Sequence, residues 1–355
     1  MNIAAIICEL NPAHQGHKYI FDMAKKETTS DYIIAIMSGN YVQRGEPAIF
    51  NKYARTKMAL DIGADLVIEL PGLFATGSVE YFSRGAISLI DKLNCINYLV
   101  FGSESANIDL IKNTQANMPN DILASGYLKA IDYFNSKLIP VAIKRLGDGY
   151  NETNFSKNGY PSALSIRNLL YSNNFINLED ISKINISYPN DKPVHINDFS
   201  VLLINKLLEY KNEGYDIFFD VYSDLSNKIK QNINSFESIT KFCDILKSKD
   251  IAYAHLKRAL LHIILDYTKS DFELIRSDYF AYCRILGFKQ DSAQLLKTIK
   301  EKSMVPIISK LADSQSIITE KSKSILNKDI NASHLYSYIS KSKINNEYQQ
   351  KIVIQ

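Results

Sequence analysis

The stretch ICELNPAHQGHKYIF, Ile7 to Phe21, decides how this chain is read. It continues an apolar run, Ile3 to Ile7, with the makings of a strand buried on both faces. Pro12 ends that strand, because it has no N–H to give to a sheet ladder. From Lys18 onward the apolar spacing is that of a helix. His14 and His17 stand at the junction, three residues apart and so on one face of the first helical turn. A helix N-terminus presents unpaired N–H groups and a partial positive charge, and Gly16 lets a ligand or backbone approach closely. Singly, each histidine has an ordinary structural reading. Together, in the first strand-to-helix turn, they make a seat shaped for phosphate oxygens.

Further along, Tyr32–Met37, Leu66–Leu70, Tyr98–Phe101 and Ile139–Lys144 repeat the strand pattern. Lys18–Lys26, Asn51–Ile62, Val79–Leu93 and Ile122–Asn135 read as helices between them. Apolar strands alternating with helices predict an α/β, Rossmann-like parallel sheet covered on both faces. Polar or glycine-bearing loops follow several strands: Glu9–Gly16, Ser38–Gly45, Gly102–Ser105 and Arg145–Gly149. Ligands of open α/β sheets sit at the carboxyl ends of the strands, so the site is expected among these loops. After Arg167 the pattern changes. A proline-bearing break at Ser187–Pro193 is followed by mainly helical spacing, as in Ile251–Asp266 and Ala293–Lys302. The expected organisation is a catalytic domain, 1–185, and a mainly α-helical domain, 186–355.

Composition excludes more than it assigns. With 355 residues, 46% hydrophobic and 22% charged, the chain has the makeup of a soluble protein with a sizeable core. A net charge of +3 gives no global attraction for nucleic acid, so any RNA-binding role needs a local basic patch. Cys8, Cys95, Cys243 and Cys283 are far apart and lack metal-ligand spacing, as expected of thiols in a reducing compartment. No apolar run approaches membrane-spanning length, and a basic-then-apolar leader is lacking, so a cytoplasmic protein is expected.

NPAHQGH resembles the HxGH signature of the nucleotidyltransferase superfamily, and SALSIR, Ser162 to Arg167, resembles its second signature, a Ser/Thr-rich turn ending in Arg. Longer stretches narrow the resemblance. AIMSGNYVQRGEPAIFNKYARTKMAL, GADLVIELP, FGSES, PNDILASGYLKA and ILGFKQDSAQLLKTIKEKSMVPIISK together look like the bacterial tRNA(Met) cytidine acetate ligase family, over nearly the whole chain. The resemblance implies a HIGH-type nucleotidyltransferase fold and a two-step activity. ATP and acetate give acetyl-adenylate, and the acetyl group passes to N4 of the wobble cytidine of elongator tRNA(Met), giving N4-acetylcytidine. Carried over by motif, ATP binding falls on Ile7, Cys8, Glu9, Leu10, Asn11, Pro12, Ala13, His14, Gln15, Gly16, His17, Lys18, Tyr19 and Ile20, with Gly102, Asn120 and Arg145. Two departures stand out. The segment between FGSES and PNDIL is short where some relatives carry a longer insertion. Leu164 stands where the second signature often has Ser or Thr, which removes one phosphate-binding hydroxyl.

Attack of acetate on an α-phosphate needs no strong base, because acetate is already ionised at pH 7. It needs positioning, and neutralisation of charge on the phosphoryl oxygens and the departing pyrophosphate. The catalytic candidates His14 and His17 suit the α-phosphate. Arg167, with Ser165, suits the β and γ phosphates through permanently charged donors. Mg²⁺ is expected as the ATP complex, with few protein ligands. Gly102 would admit the adenosine face, and Asn120 would hydrogen-bond it.

In the second half, Lys257, Arg258 and Arg284, interleaved with Tyr253, Tyr279 and Tyr282, are candidates for gripping tRNA phosphates and stacking on splayed bases. Arg44, Glu46, Asn51 and Lys52 lie where they would face substrate, Asp65 and Glu69 are expected to cap or end a strand, and Lys321–Lys343 reads as solvated surface. The two signatures equally fit a small-molecule nucleotidyltransferase acting on a phosphopantetheine or nicotinamide mononucleotide. The extra helical half, about 170 residues, argues instead for a macromolecular substrate.

Overall fold

The computed structural model describes residues 1–112, 118–146, 161–172, 182, 184, 186, 188–189, 191–276, 279, 282–341 and 346–355. Its strands are β1 (Ile3–Cys8), β2 (Tyr32–Ser38), β3 (Tyr41–Val42), β4 (Glu46–Pro47), β5 (Leu66–Leu70), β6 (Tyr98–Ser103), β7 (Ile139–Lys144), β8 (Cys283–Phe288), β9 (Ile307–Ile308) and β10 (Val353–Ile354). The helices that shape the site are α1 (Gln15–Thr28), α2 (Lys52–Asp61), α3 (Val79–Leu93), α4 (Pro119–Phe134), α5 (Ala163–Tyr171), α6 (Tyr253–Ile264) and α7 (Glu320–Ser340).

All five runs expected as strands are strands of one sheet. Its order is β10-β8-β5-β2-β1-β6-β7, with β9 also paired to β8. From β5 to β7 the pairs are parallel, as runs without a polar face require. From β1 the chain moves outward to β2 on one side and later to β6 on the other. The strand order therefore reverses at β1, and a crevice opens at that switch point.

The pleat sends Ile3 and Ala5 of β1 to one face, with Phe82, Leu89 and Ile90 of α3 and Leu128 of α4. Ala4 and Ile6 go to the other, against Ile20, Phe21 and Ala24 of α1 and Met58 and Ala59 of α2.

The second half is mainly helical, as expected, and also adds strands to the sheet. It contributes β8, which pairs antiparallel to β5 (Ile68 opposite Ile285), and through β8 the short β9 and β10. Phe199, Leu203, Phe242, Leu256, Phe272 and Leu326 join the same apolar cluster as the α3 face of the sheet, so one core runs through both halves. The boundary expected near 185 lies outside the described residues. Helix α7, expected as solvated surface, buries Ile325, Leu326, Ile330 and Tyr336 in one stripe, with its lysines on the other sides. No helix among the described residues is long and apolar enough to cross a membrane.

A buried charge cluster fastens these layers. Lys52 Nζ lies 2.8 Å from Glu69 Oε1 and 3.2 Å from Glu347 Oε2. Arg284 Nη2 lies 2.5 Å from Glu347 Oε2, and its Nη1 lies 3.1 Å from Glu69 Oε2 as an ion pair without hydrogen-bond geometry. Each of the four is at most 5% exposed. Lys52 therefore does not face substrate, and Glu69 is no strand cap. Helical and strand periodicity turn both side chains inward, where each requires an opposite charge.

Candidate active site

The loops after β1, β2, β6 and β7 enclose a cavity of about 190 Å³ at the carboxyl ends of the parallel strands, as the loop composition predicts. Within Ile7–Ile20, its walls include Ile7, Cys8, Glu9, Leu10, Asn11, His14, His17 and Ile20. Pro12, Ala13, Gln15 and Lys18 do not line it. Ala13 is buried, its carbonyl accepting from Tyr188 Oη at 2.8 Å, while Lys18 pairs with Asp22 outside. Gly16 and Tyr19 line a small adjoining crevice.

His14 is the N-cap of α1. Its Nδ1 accepts from the Gly16 N–H at 3.0 Å, which leaves the proton of the neutral ring on Nε2. A Cβ on Gly16 would lie 2.9 Å from His14 Cε1, so glycine here makes room for the imidazole itself. The His17 ring lies 4.0 Å from that of His14, and its buried Nδ1 has no partner among the described residues. His14 is only 4% exposed. Burial first, then His17 and the Arg145 and Arg167 guanidiniums, hold His14 well below the usual imidazole range. Burial and Arg145 push His17 down to about 3. Both shifts favour uncharged rings, which can offer an N–H but no permanent charge.

Permanent charge comes from arginine. Arg145 follows β7, Arg167 sits in α5, and both line the cavity. Arg167 Nη1 donates to Asn11 O at 2.7 Å and so docks the second signature onto the first. Asn11 in turn accepts at Oδ1 from the Ile49 N–H at 2.7 Å. The N-terminus of α5 also reaches the cavity through Ser162, Ala163 and Leu164, so two helix N-termini converge there.

Ser165 does not reach the cavity. Its hydroxyl donates to Ser162 O at 2.8 Å, and its N–H donates to Ser162 Oγ at 3.0 Å, the N-cap bond of α5. In a first helical turn a serine three residues past the cap turns back onto it. Ser162 is the hydroxyl that sequence reasoning missed, and its position just ahead of the apolar turn was the available signal. Leu164 adds an apolar side chain to the same wall.

Gly102 and Asn120 line the β6 side. A Cβ on Gly102 would crowd Ile20 Cδ1 and Arg145 Cγ, each 3.3 Å away. FGSES and PNDIL interlock by reciprocal capping. Glu104 Oε1 accepts from Asn120 Nδ2 at 2.5 Å and its Oε2 from the Asp121 N–H at 3.0 Å, while Asp121 Oδ1 accepts from the Glu104 N–H at 3.0 Å. Residues 113–117, in the shortened segment, lie outside the described residues.

On the β2 side, Val42, Gln43, Arg44 and Glu46 line the cavity from the β3–β4 hairpin. Beneath them, fully buried Arg55 donates to Glu9 O at 2.6 Å and Ser38 O at 3.1 Å, and also to Gly39 O, tying the ends of β1 and β2 together. Lys52, Arg55, Thr56 and Ala59 fall on the helical stripe that normally carries apolar side chains, which is how Arg55 could have been found.

The three basic residues expected to grip RNA do not form a free basic face. Arg284 belongs to the buried cluster. Lys257 is ion-paired with Glu46, and Arg258 Nε lies 3.1 Å from Asp220 Oδ2. Tyr279 and Tyr282, read as stacking partners, are 6% and 2% exposed. The periodicity that gathered these residues is that of a buried face, and the charges on it are drawn into pairs.

A family model described as HIGH Nucleotidyl Transferase matches residues 1–118 and 110–351. The tRNA(Met) cytidine acetate ligase of Clostridium perfringens (strain ATCC 13124) is 35% identical, with 98% of each chain covered; that of Acetivibrio thermocellus is 31% identical over the whole of both chains. Among solved structures, Thermotoga maritima TmcAL shares the fold, with a TM-score of 0.91 for the apo form and 0.88 for a form bound with alpha-thio ATP. Each is 23% identical and covers 100% of this chain and 99% of that one. Matched over nearly its full length, this chain belongs to the tRNA(Met) cytidine acetate ligase family of HIGH nucleotidyl transferases.

Proposed function

We propose that this protein activates acetate with ATP and transfers the acetyl group to N4 of the wobble cytidine of elongator tRNA(Met). The observation that carries the reading is full-length membership of the ligase family by a chain whose His14, His17, Arg145 and Arg167 line one cavity at two helix N-termini. In the first step an acetate oxygen attacks the α-phosphorus and pyrophosphate departs, so the site must hold oxygens that gain charge. Neutral His14 and His17 donate N–H bonds to the α-phosphate. Arg145 and Arg167 balance the β and γ charges, and Gly102 and Asn120 lie against the adenosine.

Mg²⁺ enters as part of the substrate, held by the ATP phosphates. Among the described residues no group of three or more His, Cys, Asp or Glu side chains is placed to hold a metal ion. The reading is tested by incubating the protein with ATP, acetate and unmodified tRNA(Met). Pyrophosphate release and N4-acetylcytidine, found by mass analysis at the wobble position, are expected. Pyrophosphate without RNA acetylation would favour a small-molecule acceptor instead.

A further inference from the structure

The second half-reaction of the proposed function needs something the first does not. Acetate arrives ionised, whereas the exocyclic amine of cytosine is neutral, its lone pair is delocalised into the ring, and it must lose a proton to become an amide. We propose that Glu9 is the general base of acetyl transfer, accepting the N4 proton as cytosine attacks acetyl-adenylate. The inference rests on the function proposed above.

Glu9 follows β1 immediately, at the carboxyl end of the central strand, and lines the cavity. Its Oε1 accepts from the Gln43 N–H at 2.8 Å, and among the described residues its Oε2 has no protein donor. Of the two cavity-lining glutamates, Glu46 is already neutralised by Lys257. Glu9 has no such ion-pair partner among the described residues.

The groups that face Glu9 come from every element packed around it. They are Arg167 of α5, Arg44 of the β3–β4 hairpin, Arg55 of α2, Cys8 of β1 and Tyr127 of α4. Arg55 spends its donors on backbone carbonyls, that of Glu9 included. Burial raises the Glu9 carboxyl above its ordinary range, more than the Gln43 N–H and the three arginines lower it. A carboxylate made more basic is the better proton acceptor near neutral pH. Phe82, Phe101 and Tyr127, each at most 4% exposed, line the same cavity and belong to the apolar surroundings of the carboxylate.

The step balances as follows. The N4 lone pair forms a bond to the acetyl carbon. The bond from that carbon to the phosphate oxygen breaks, and its electrons leave with AMP. The N4 proton passes to the Glu9 carboxylate, which returns it to water. Nothing in the formation of acetyl-adenylate requires this base.

Glu9→Gln keeps the acceptor for the Gln43 N–H and the shape of the side chain but removes the base. Prepared acetyl-adenylate and unmodified tRNA(Met) are given to the protein in single turnover between pH 5 and 8. The wild-type rate should rise about tenfold per pH unit before levelling, while Glu9→Gln should be about 10²- to 10⁴-fold slower with a flat profile. Glu9→Asp, which retains a carboxylate, should be slowed but keep the rising limb. Cooperative melting, with and without ATP, checks that each variant is folded; if Glu9→Gln fails this check, the Glu9→Asp profile decides. A Glu9→Gln rate and profile like those of the wild type would overturn the assignment, as would a Glu9→Asp profile as flat as that expected for Gln. Failure of the wild type itself to acetylate tRNA from acetyl-adenylate would refute the proposed function, a different result.

Discussion

Replacing Arg284 by Met tests whether this arginine serves the fold or the RNA. Its guanidinium is buried and lies between Glu69 and Glu347, with Tyr53 Oη 2.9 Å from Nη2. Met fills much of the same volume, so the main loss is charge. Glu69 and Glu347 would be left sharing Lys52, with Asp329 of the same network close by. Removing one partner from a buried ion network costs about 3–5 kcal/mol. At about 2.1 cal/mol/K per residue, 355 residues give an unfolding entropy near 0.75 kcal/mol/K, so the melting temperature should fall by roughly 4–7 °C.

Arg284→Met combined with Glu347→Gln restores the charge balance and should recover part of that loss, with a coupling of about 0.5–3 kcal/mol. The acid limb gives a second check. Burial alone would raise the Glu347 carboxyl, but Lys52 and Arg284 hold it down to about 2. A folded-state pKa below the unfolded value of 4.5 adds stability that is fully present above pH 4.5 and lost as pH falls toward 2. Arg284→Met should weaken that dependence. A variant melting within 1 °C of the wild type would refute the reasoning. If its tRNA binding were also weaker, with a salt slope lower by about one, Arg284 would belong to an RNA surface.

Three further outcomes are expected. Changing either His14 or His17 to Ala should slow pyrophosphate release by about 10²-fold or more, and His14→Ala should also cost about 1 kcal/mol in a melt because the N-cap of α1 is lost. Gly45→Ala should lower both melting temperature and activity, since Gly45 has φ +74° and a Cβ there would lie 2.4 Å from Arg258 N, displacing the hairpin that carries Gln43, Arg44 and Glu46. Asp329 is raised to about 7 by burial and by Glu69, so its ionisation opposes folding as pH rises from 3.8 through 7; Asp329→Asn should melt above the wild type at pH 8, with the gap shrinking toward pH 4.

What was legible in the sequence was local. Runs buried on both faces announce themselves without a partner, so β1, β2, β5, β6 and β7 were readable, and with them the loops that carry the site. The HxGH turn was legible because strand end, glycine and helix start lie within ten residues. What failed was non-local. The stretch Cys283–Phe288 is strand only because β5, more than 200 residues earlier, supplies its hydrogen bonds. Lys52, Glu69 and Arg284 each looked like a surface charge, since single positions do not show that three elements turn opposite charges toward one point. Ser165 was misassigned for a smaller reason: a hydroxyl near a phosphate site and a hydroxyl closing a helix cap have the same spacing.

The position of the second half explains why so much chain accompanies so compact a site. The hairpin that lines the β2 side of the cavity is held mostly from behind. Tyr41 Oη donates to Ala332 O at 3.0 Å and Tyr336 Oη to Ala48 O at 2.7 Å, both joining it to α7. Lys257 of α6 pairs with Glu46, and the α6 backbone packs on Gly45. The Lys52 N–H, at the start of α2, donates to Asn40 Oδ1 at 2.8 Å, while the Lys52 ammonium reaches Glu69 and Glu347. From the front, the hairpin is met by Glu9 through the Gln43 N–H. A wall made of two-residue strands has little stability of its own. Bonds from α6, α7 and Glu347 therefore hold the β2 side of the cavity in place, a structural task that falls to the second half of the chain.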